Sequence, residues 1–192
     1  MSKQALVIGN GTSRLKFDLN ELNKYFTTYA CNAIYRDFIP DYLISMDYHM
    51  VSEIINSRIH HKTKFYTQHM NDWDLLAGNG EPINFIKILP ATPDSGTAAV
   101  ELASEHGHDI IYMIGFDYNH GSINNVYAGT ANYNAKTHVT PIIQDDKWRN
   151  RLYNIVQKHP NIQYYRITDE DYTGALTNYN HIAIENFEVT PC

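Results

Sequence analysis

The sequence predicts an α/β fold built on a mostly parallel sheet flanked by helices. Three observations carry that expectation. Short unbroken apolar runs, Ala5-Leu6-Val7-Ile8 and Ile110 to Ile114 among them, read as strands buried on both faces. Segments with apolar residues at helical spacing alternate with those runs, the pattern of right-handed βαβ units. Glycine and polar clusters follow directly on several of the runs, where a parallel sheet turns its carboxyl ends outward. Together these describe a Rossmann-like domain spanning residues 1–192, with no internal repeat and no linker.

Gln4 to Ile8 is the first strand and stops at Gly9-Asn10-Gly11-Thr12-Ser13. Leu19, Leu22 and Phe26 place a short helix within Phe17 to Phe26. Strands follow at Thr28 to Cys31 and Tyr42 to Met46, then a helix from Met50 to Ile59 and a strand from Lys64 to Thr67. Asn71 to Pro82 lacks periodicity and is read as an excursion loop, before a strand from Phe85 to Leu89 that Pro90 closes. Ser95 to Glu105 is the clearest helix: Asp94 or Ser95 can cap it, Ala98, Ala99, Leu102 and Ala103 form one small apolar face, and Gly107 follows its end. Ile110 to Ile114 ends at Gly115-Phe116-Asp117-Tyr118. Asn119 to Thr140 is too long for an ordinary βα loop, and its tyrosines favour a lid. An amphipathic helix from Asp145 to Lys158 and a strand from Ile162 to Ile167 precede an irregular tail.

Composition narrows the function classes. A net charge of −6 with scattered lysines and arginines argues against a nucleic-acid binder, which carries a basic stripe. A small anion stays compatible, because backbone N–H groups and helix starts hold it without net positive charge. No apolar run approaches the roughly 20 residues that span a bilayer. Met1-Ser2-Lys3-Gln4 leads straight into the first strand without an apolar leader, and Cys31 and Cys192 form no disulfide framework. The expectation is a cytoplasmic, reducing location.

Ligands of open parallel sheets sit outside the carboxyl ends of the strands. The clusters that fall there are Gly9 to Ser13, Cys31-Asn32, Asp47 and Gly115 to Tyr118, with Ser95-Gly96-Thr97 opening a helix nearby. Taken singly, Gly9-Asn10-Gly11 can be a plain tight turn and Ser95 a plain helix cap. Their joint placement at strand ends is what favours a nucleotide site. Position 14 is Arg14 where a dinucleotide fingerprint needs a third glycine, and no Walker loop is present, so generic NAD and ATP sites are not indicated. The ten histidines include His60-His61 and His106-x-His108, which lack metal-site spacing. His138, at the end of the lid, is a candidate general base or else a solvent-facing loop residue. Tyr127 and Tyr133 are candidate donors to a phosphate or else packing for the lid.

With those residues laid out, the chain resembles the bacterial sialyltransferases of the Campylobacter lipooligosaccharide type. The resemblance rests on Val7-Ile8-Gly9-Asn10-Gly11-Thr12-Ser13, Cys31-Asn32-Ala33-Ile34-Tyr35, Ser95-Gly96-Thr97 through Ala103, and Ile110 through Asp117. It implies a metal-free, inverting transferase that takes a sugar from a CMP-type nucleotide sugar to an acceptor glycan or other small hydroxyl substrate. Asn10, Gly11, Ser13 and Asn32 would then contact the nucleotide, with Ser95, Gly96, Thr97 and Gly115 lining the site; Thr12, Asp47 and Asp117 join the expected nucleotide site through their place at the strand ends. Tyr127 would match one tyrosine that steadies the leaving phosphate and His138 would be the base. In the transferase reading the lid around Tyr127 and Tyr133 would exclude water and stabilise that phosphate. The chain departs from that family in carrying Asn119 where a tyrosine is expected, in Asp47 where the family has asparagine, and in its shorter C-terminus.

Asp47, in Ile44-Ser45-Met46-Asp47, is instead similar to the archaeal 6-hydroxymethylpterin diphosphokinase-like proteins, which share the glycine turn and the Gly-x-Asp after the later strand. That resemblance implies Mg²⁺-dependent pyrophosphoryl transfer, with carboxylates holding the metal. The sialyltransferase-like reading is preferred and needs no cofactor. A non-catalytic nucleotide-binding protein is the third reading. A homo-oligomer is compatible with all three.

Overall fold

The computed structural model describes residues 2–68, 82–85, 94–118, 121–122, 124–135, 139–140, 142–170 and 176–189. The chain opens with β1 (Gln4–Ile8), a 3-10 turn (Thr12–Lys16), α1 (Leu19–Leu22) and β2 (Thr27–Cys31). A second 3-10 turn (Asn32–Arg36), β3 (Tyr42–Ile44), α2 (Tyr48–Asn56), a third such turn (Ile59–His61) and β4 (Lys64–Thr67) follow. Next come β5 (Ile83–Phe85), α3 (Ser95–Glu105) and β6 (Ile110–Ile114). The chain continues through β7 (Gly121–Ser122), β8 (Val139–Thr140), α4 (Ile142–Lys158), β9 (Gln163–Ile167), β10 (Tyr179–Ile182) and a last 3-10 turn (Ile184–Asn186).

Eight strands form one all-parallel sheet in the order β10-β9-β6-β1-β2-β3-β4-β5. The chain starts in the middle, steps outward from β1 to β5, and returns to the other flank of β1 with β6. The direction of winding therefore reverses between β1 and β6, and this is where such sheets place ligands. This is the α/β, Rossmann-like architecture the sequence predicts.

The apolar runs are continuous because both faces of the sheet are covered. Alternate residues of β1 feed separate cores: Ala5 and Val7 pack under α3 and α4 with Ala99, Leu102, Leu152 and Val156. Leu6 and Ile8 pack on the opposite face with Leu22, Ile34, Val51 and Ile54. The alanines of α3 bring that helix close against the sheet, and Asp94 caps it by accepting from Thr97 N at 2.7 Å.

Several boundaries differ from the sequence expectation for local reasons. The helix expected over Phe17–Phe26 is only Leu19–Leu22, because Asp18 caps it from inside that window, accepting from Asn20 N and Glu21 N. The helix expected from Met50 begins at Tyr48 and ends at Asn56, where Arg58 takes left-handed φ of 57° and breaks the ladder. β3 stops at Ile44, and the Met46 N–H is turned to Ser95 Oγ instead of a neighbouring strand. The expected Phe85–Leu89 strand is Ile83–Phe85 as far as it is described, and most of the expected excursion loop lies outside the described residues.

The tail is not irregular: β10 adds to the sheet edge beside β9. Asn178 anchors it, its buried amide donating to the carbonyls of Val156 and Ile162 at 3.2 and 3.0 Å. The Tyr-rich segment has an antiparallel neck, with Gly121 opposite Thr140 and Ser122 opposite Val139.

Candidate functional site

The carboxyl ends of β1 and β6 are in register, Ile8 opposite Ile114, so their two glycine turns emerge side by side. The ladder continues past the strands: Gly9 N donates to Ile114 O at 2.8 Å and Gly11 N to Gly115 O at 2.9 Å. A Cβ on Gly9 would lie 2.3 Å from the Gly115 carbonyl oxygen, and one on Gly11 would lie 2.4 Å from Asp117 Oδ2. The close approach that glycine permits here is therefore between two turns of the chain.

Asp117 binds the start of the Thr12–Lys16 turn. Its Oδ2 accepts from Ser13 N at 2.9 Å, and its Oδ1 accepts from the Ser13 hydroxyl. Asn124 extends the cluster, donating to Asp117 Oδ2 at 3.1 Å while its Oδ1 accepts from the N–H and hydroxyl of Thr12. Val126 N donates to Asn10 O at 2.8 Å. The described part of the Tyr-rich segment is thus docked on the Gly9–Ser13 turn, and Thr12, Ser13 and Asp117 are engaged with one another through it.

A second polar cluster lies over β2 and β3. Asn10 is buried, donates through Nδ2 to Cys31 O at 3.1 Å, and keeps a buried Oδ1 without a hydrogen-bond partner among the described residues. Asn32 has left-handed φ of 56° at the end of β2, a strained conformation that asparagine tolerates better than most residues, and its Oδ1 accepts from the Ser45 hydroxyl at 2.9 Å. Ser95 Oγ accepts from Met46 N at 3.0 Å, which leaves the hydroxyl hydrogen to donate elsewhere. Thr97 is committed to its cap, its hydroxyl donating to Asp94 Oδ2 at 2.7 Å. Gly96 faces the Phe116 ring, so α3 begins beside the end of β6 as well. Asn10, Asn32, Ser95 and Gly96 are therefore gathered on one edge with Gly115 and Asp117.

Electrostatics distinguish the groups on this edge. Asp47 occupies the N-cap position of α2 but its side chain makes no capping bond. Desolvation of its inner side, and then the Asp94 carboxylate, push its carboxyl above the usual range. Asp94 is itself held by Arg151 of α4 at 3.3 Å. Burial raises the Cys31 thiol to about 12, so it stays a neutral, inert sulfhydryl. Among the described residues, no group of three or more His, Cys, Asp or Glu side chains is arranged to hold a metal ion.

The two candidate tyrosines have different surroundings. The Tyr133 hydroxyl accepts a long bond from Ala33 N at 3.4 Å, over the end of β2, and burial holds its phenol well above its usual value. It remains a protonated donor. Tyr127 points to a different partner set: its hydroxyl donates to Asp37 Oδ2 and accepts from Arg14, both at 2.7 Å. Arg14, which stands in the place of a third glycine, is 2% exposed; its Nη2 also donates to Asp37 at 3.1 Å, and its Nε and Nη1 have no hydrogen-bond partner among the described residues. The Tyr127 ring also takes the Arg14 and Arg36 guanidinium groups, 5.1 and 5.6 Å from its centroid. Tyr118 is buried between Arg149 and Arg166, at 5.0 and 4.5 Å from its ring, and its backbone N–H donates to Glu170. His138 lies outside the described residues.

Sequence reasoning missed Arg14, Asp37, Asp94 and Asn124 as members of this edge. A signal existed only for Arg14, a long cation inside an otherwise small and polar glycine turn. The comparisons with known proteins add no relative: no family model, no curated protein and no solved structure matches the chain. Among the described residues, no helix is long and apolar enough to cross a membrane.

Proposed function

We propose that this protein binds a phosphate-bearing nucleotide at the carboxyl edge of its sheet and transfers the attached sugar, as a glycosyltransferase-like enzyme using a CMP-type donor. The observation that carries the reading is the buried, unpartnered amide oxygen of Asn10, on the edge where Asn32, the Ser95 hydroxyl and the Tyr133 hydroxyl also gather. An unmade hydrogen bond at a buried polar atom costs about 1–3 kcal/mol, which a ligand donor would recover. A cytosine amino group or a ribose hydroxyl is a donor of that kind.

In this reading the sugar–phosphate C–O bond breaks as the acceptor oxygen forms the new glycosidic bond, and the acceptor proton passes to His138. Tyr133, kept protonated by burial, donates to the departing phosphate, and the docked segment excludes water. Tyr127 contributes by tying that segment to Arg14 and Asp37. The acceptor is a glycan or another small hydroxyl compound.

A second reading has its own observation. Asp47 is exposed and caps nothing, and partial desolvation and the Asp94 carboxylate raise its carboxyl, so a divalent cation between the two carboxylates would relieve their repulsion. That would suit Mg²⁺-dependent pyrophosphoryl transfer.

A thermal-shift screen with CMP, CDP, UDP, GDP and ATP, with and without Mg²⁺, separates the readings. A specific ligand at a hundredfold excess over Kd stabilises by about 2.7 kcal/mol. A cytidine-selective shift without Mg²⁺, lost in Asn10→Ala, supports the transferase. An ATP shift that needs Mg²⁺ and is lost in Asp47→Asn supports pyrophosphoryl transfer. Cytidine binding without transfer from any CMP-sugar leaves a non-catalytic nucleotide-binding protein, and no shift with any nucleotide overturns the site.

A further inference from the structure

The opposite, amino edge of the sheet holds a second concentration of side chains that the transferase reading does not use. Tyr29 of β2 and Tyr42 of β3 are cross-strand partners, and their rings stack at 4.5 Å with 6° between planes. Tyr66 of β4 continues the row, 6.0 Å from Tyr42. α3 ends over these rings at His106, and Gly107, with φ of 73°, turns the chain so that His108 returns to the same place. The Tyr29 hydroxyl bridges His106 Nδ1 at 2.8 Å and His108 Nε2 at 2.9 Å.

These residues line a cavity of about 610 Å³ together with Lys3, Lys64 and Asn84, and among the described lining residues there is no aspartate or glutamate. That volume lies within the range of small-molecule pockets, roughly 300–1,000 Å³. Lys64 lies 4.8 Å from the Tyr42 ring centre and donates to its hydroxyl at 3.1 Å. Neither lysine has an ion-pair partner among the described residues. Burial, and for each histidine a nearby cation, keeps both imidazoles below their usual value, so at neutral pH the lysines supply the positive charge.

His108 provides an independent pointer. It is 8% exposed, and its Nδ1 is buried without a hydrogen-bond partner among the described residues. The Tyr29 hydroxyl has one hydrogen, so it donates to one histidine and accepts from the other. If it accepts from His108, Nδ1 is a bare acceptor; if it donates, Nδ1 carries an unused hydrogen. Either way a buried polar atom of a lining residue is left with an unused hydrogen-bonding capacity.

We propose that this amino-edge cavity is a binding site for a planar aromatic ring bearing a negative group. The ring would lie along the tyrosine row, its charge would meet Lys3 and Lys64, and a polar ring substituent would complete His108. Such a molecule could be an aromatic carboxylate or a nucleoside monophosphate, and the shared chemistry is a flat π-face with one anion. This site is separate from the carboxyl-edge cleft and stands whether or not that cleft binds a nucleotide.

The test is equilibrium binding to the full chain with four probes: 4-hydroxybenzoate, AMP, phenol (ring without charge) and inorganic phosphate (charge without ring). At least one of the first two should bind saturably, about tenfold more tightly than phenol or phosphate, because a charge-assisted bond is added to ring stacking. Which of them binds identifies the source. Lys64→Gln, at an exposed position that leaves the core intact, should weaken that binding about tenfold. Tyr66→Leu should weaken it by about threefold to tenfold, while Asn10→Ala at the other edge should leave it unchanged. The proposal fails if neither anionic ring binds, if phenol binds equally well, or if binding survives both Lys64→Gln and Tyr66→Leu.

Discussion

Gly9 and Gly115 leave adjacent strands at the same level, and each turn occupies the space a side chain on the other would need. A Cβ on Gly9 would sit 2.3 Å from Gly115 O, and one on Gly115 would sit 2.7 Å from Gly9 O, at a residue whose φ is 70°. The obstacle in both directions is backbone, which cannot step aside. Gly9→Ala should therefore cost about 2–3 kcal/mol, the upper range for overpacking, read as a lower urea midpoint. Gly96→Ala is the control, because its Cβ would meet only Asp94 Oδ1 at 3.3 Å and the Phe116 ring. It should stay within about 1 kcal/mol of the parent.

Tyr127 holds the docked segment to the glycine turn through one oxygen. Tyr127→Phe removes one of two acceptors of the buried Arg14 guanidinium, which keeps Asp37 at 3.1 Å, and removes the donor to Asp37, while keeping the ring between the two arginines. Leaving a buried charged donor short of a partner should cost about 1–3 kcal/mol. Hydrogen exchange should rise at Val126 N, which loses support for its bond to Asn10 O. An unchanged urea midpoint would show that Arg14 finds water in place of the phenol.

Much of this arrangement was legible in the sequence because it depends on near neighbours. The central strands betray themselves by Leu6-Val7-Ile8 and Ile110-Ile111, apolar on both faces, and α3 by its alanine face and its cap. β10 was missed because an edge strand needs one buried face, and Tyr179-Asn180-His181-Ile182 offers little apolar periodicity; Asn178 anchors it through distant carbonyls. The site was legible as a set of strand ends but not as a set of bonds. Ser13 and Asp117 are 104 residues apart, and only the return of the chain to β6 beside β1 makes one the partner of the other. Asp47 likewise comes within electrostatic reach of Asp94 because α3 starts against the end of β3, a juxtaposition no local pattern encodes.

That carboxylate pair gives a pH prediction. An acid whose folded value is raised binds its proton more readily folded than unfolded. Its stabilising contribution is fully present below the ordinary value of 3.8 and is lost as pH rises through the folded value. Asp47→Asn should thus match the parent at pH 3 and exceed it at pH 7, by ~0.5 kcal/mol or less, since the exposed side of the carboxylate is screened by water. Asp47 makes no capping bond, so the substitution removes none. Added Mg²⁺ should not change the difference unless the two carboxylates share a cation. A difference that closes with millimolar Mg²⁺ would move the protein toward pyrophosphoryl transfer.

The last prediction separates binding from chemistry. Tyr133→Phe removes one hydroxyl whose hydrogen bond among the described residues is the 3.4 Å bond from Ala33 N, so folding stability should change by less than about 1 kcal/mol. If that hydroxyl steadies a leaving phosphate, the turnover of a CMP-sugar should fall by about 10²-fold, as for the loss of one preorganised donor. CMP affinity should change little, because the donor acts most strongly on charge that develops as the bond breaks. His138→Asn should cost about 10²–10⁴-fold, the usual worth of a general base, again with CMP affinity nearly intact. The two variants differ in their pH profiles. Loss of the base should remove the acidic limb of the rate profile, where the imidazole titrates, whereas loss of the phenol should lower the whole profile and leave its shape unchanged. Equal turnover in the parent and in both variants would remove Tyr133 and His138 from the reaction and leave the docked segment a structural cover over the edge.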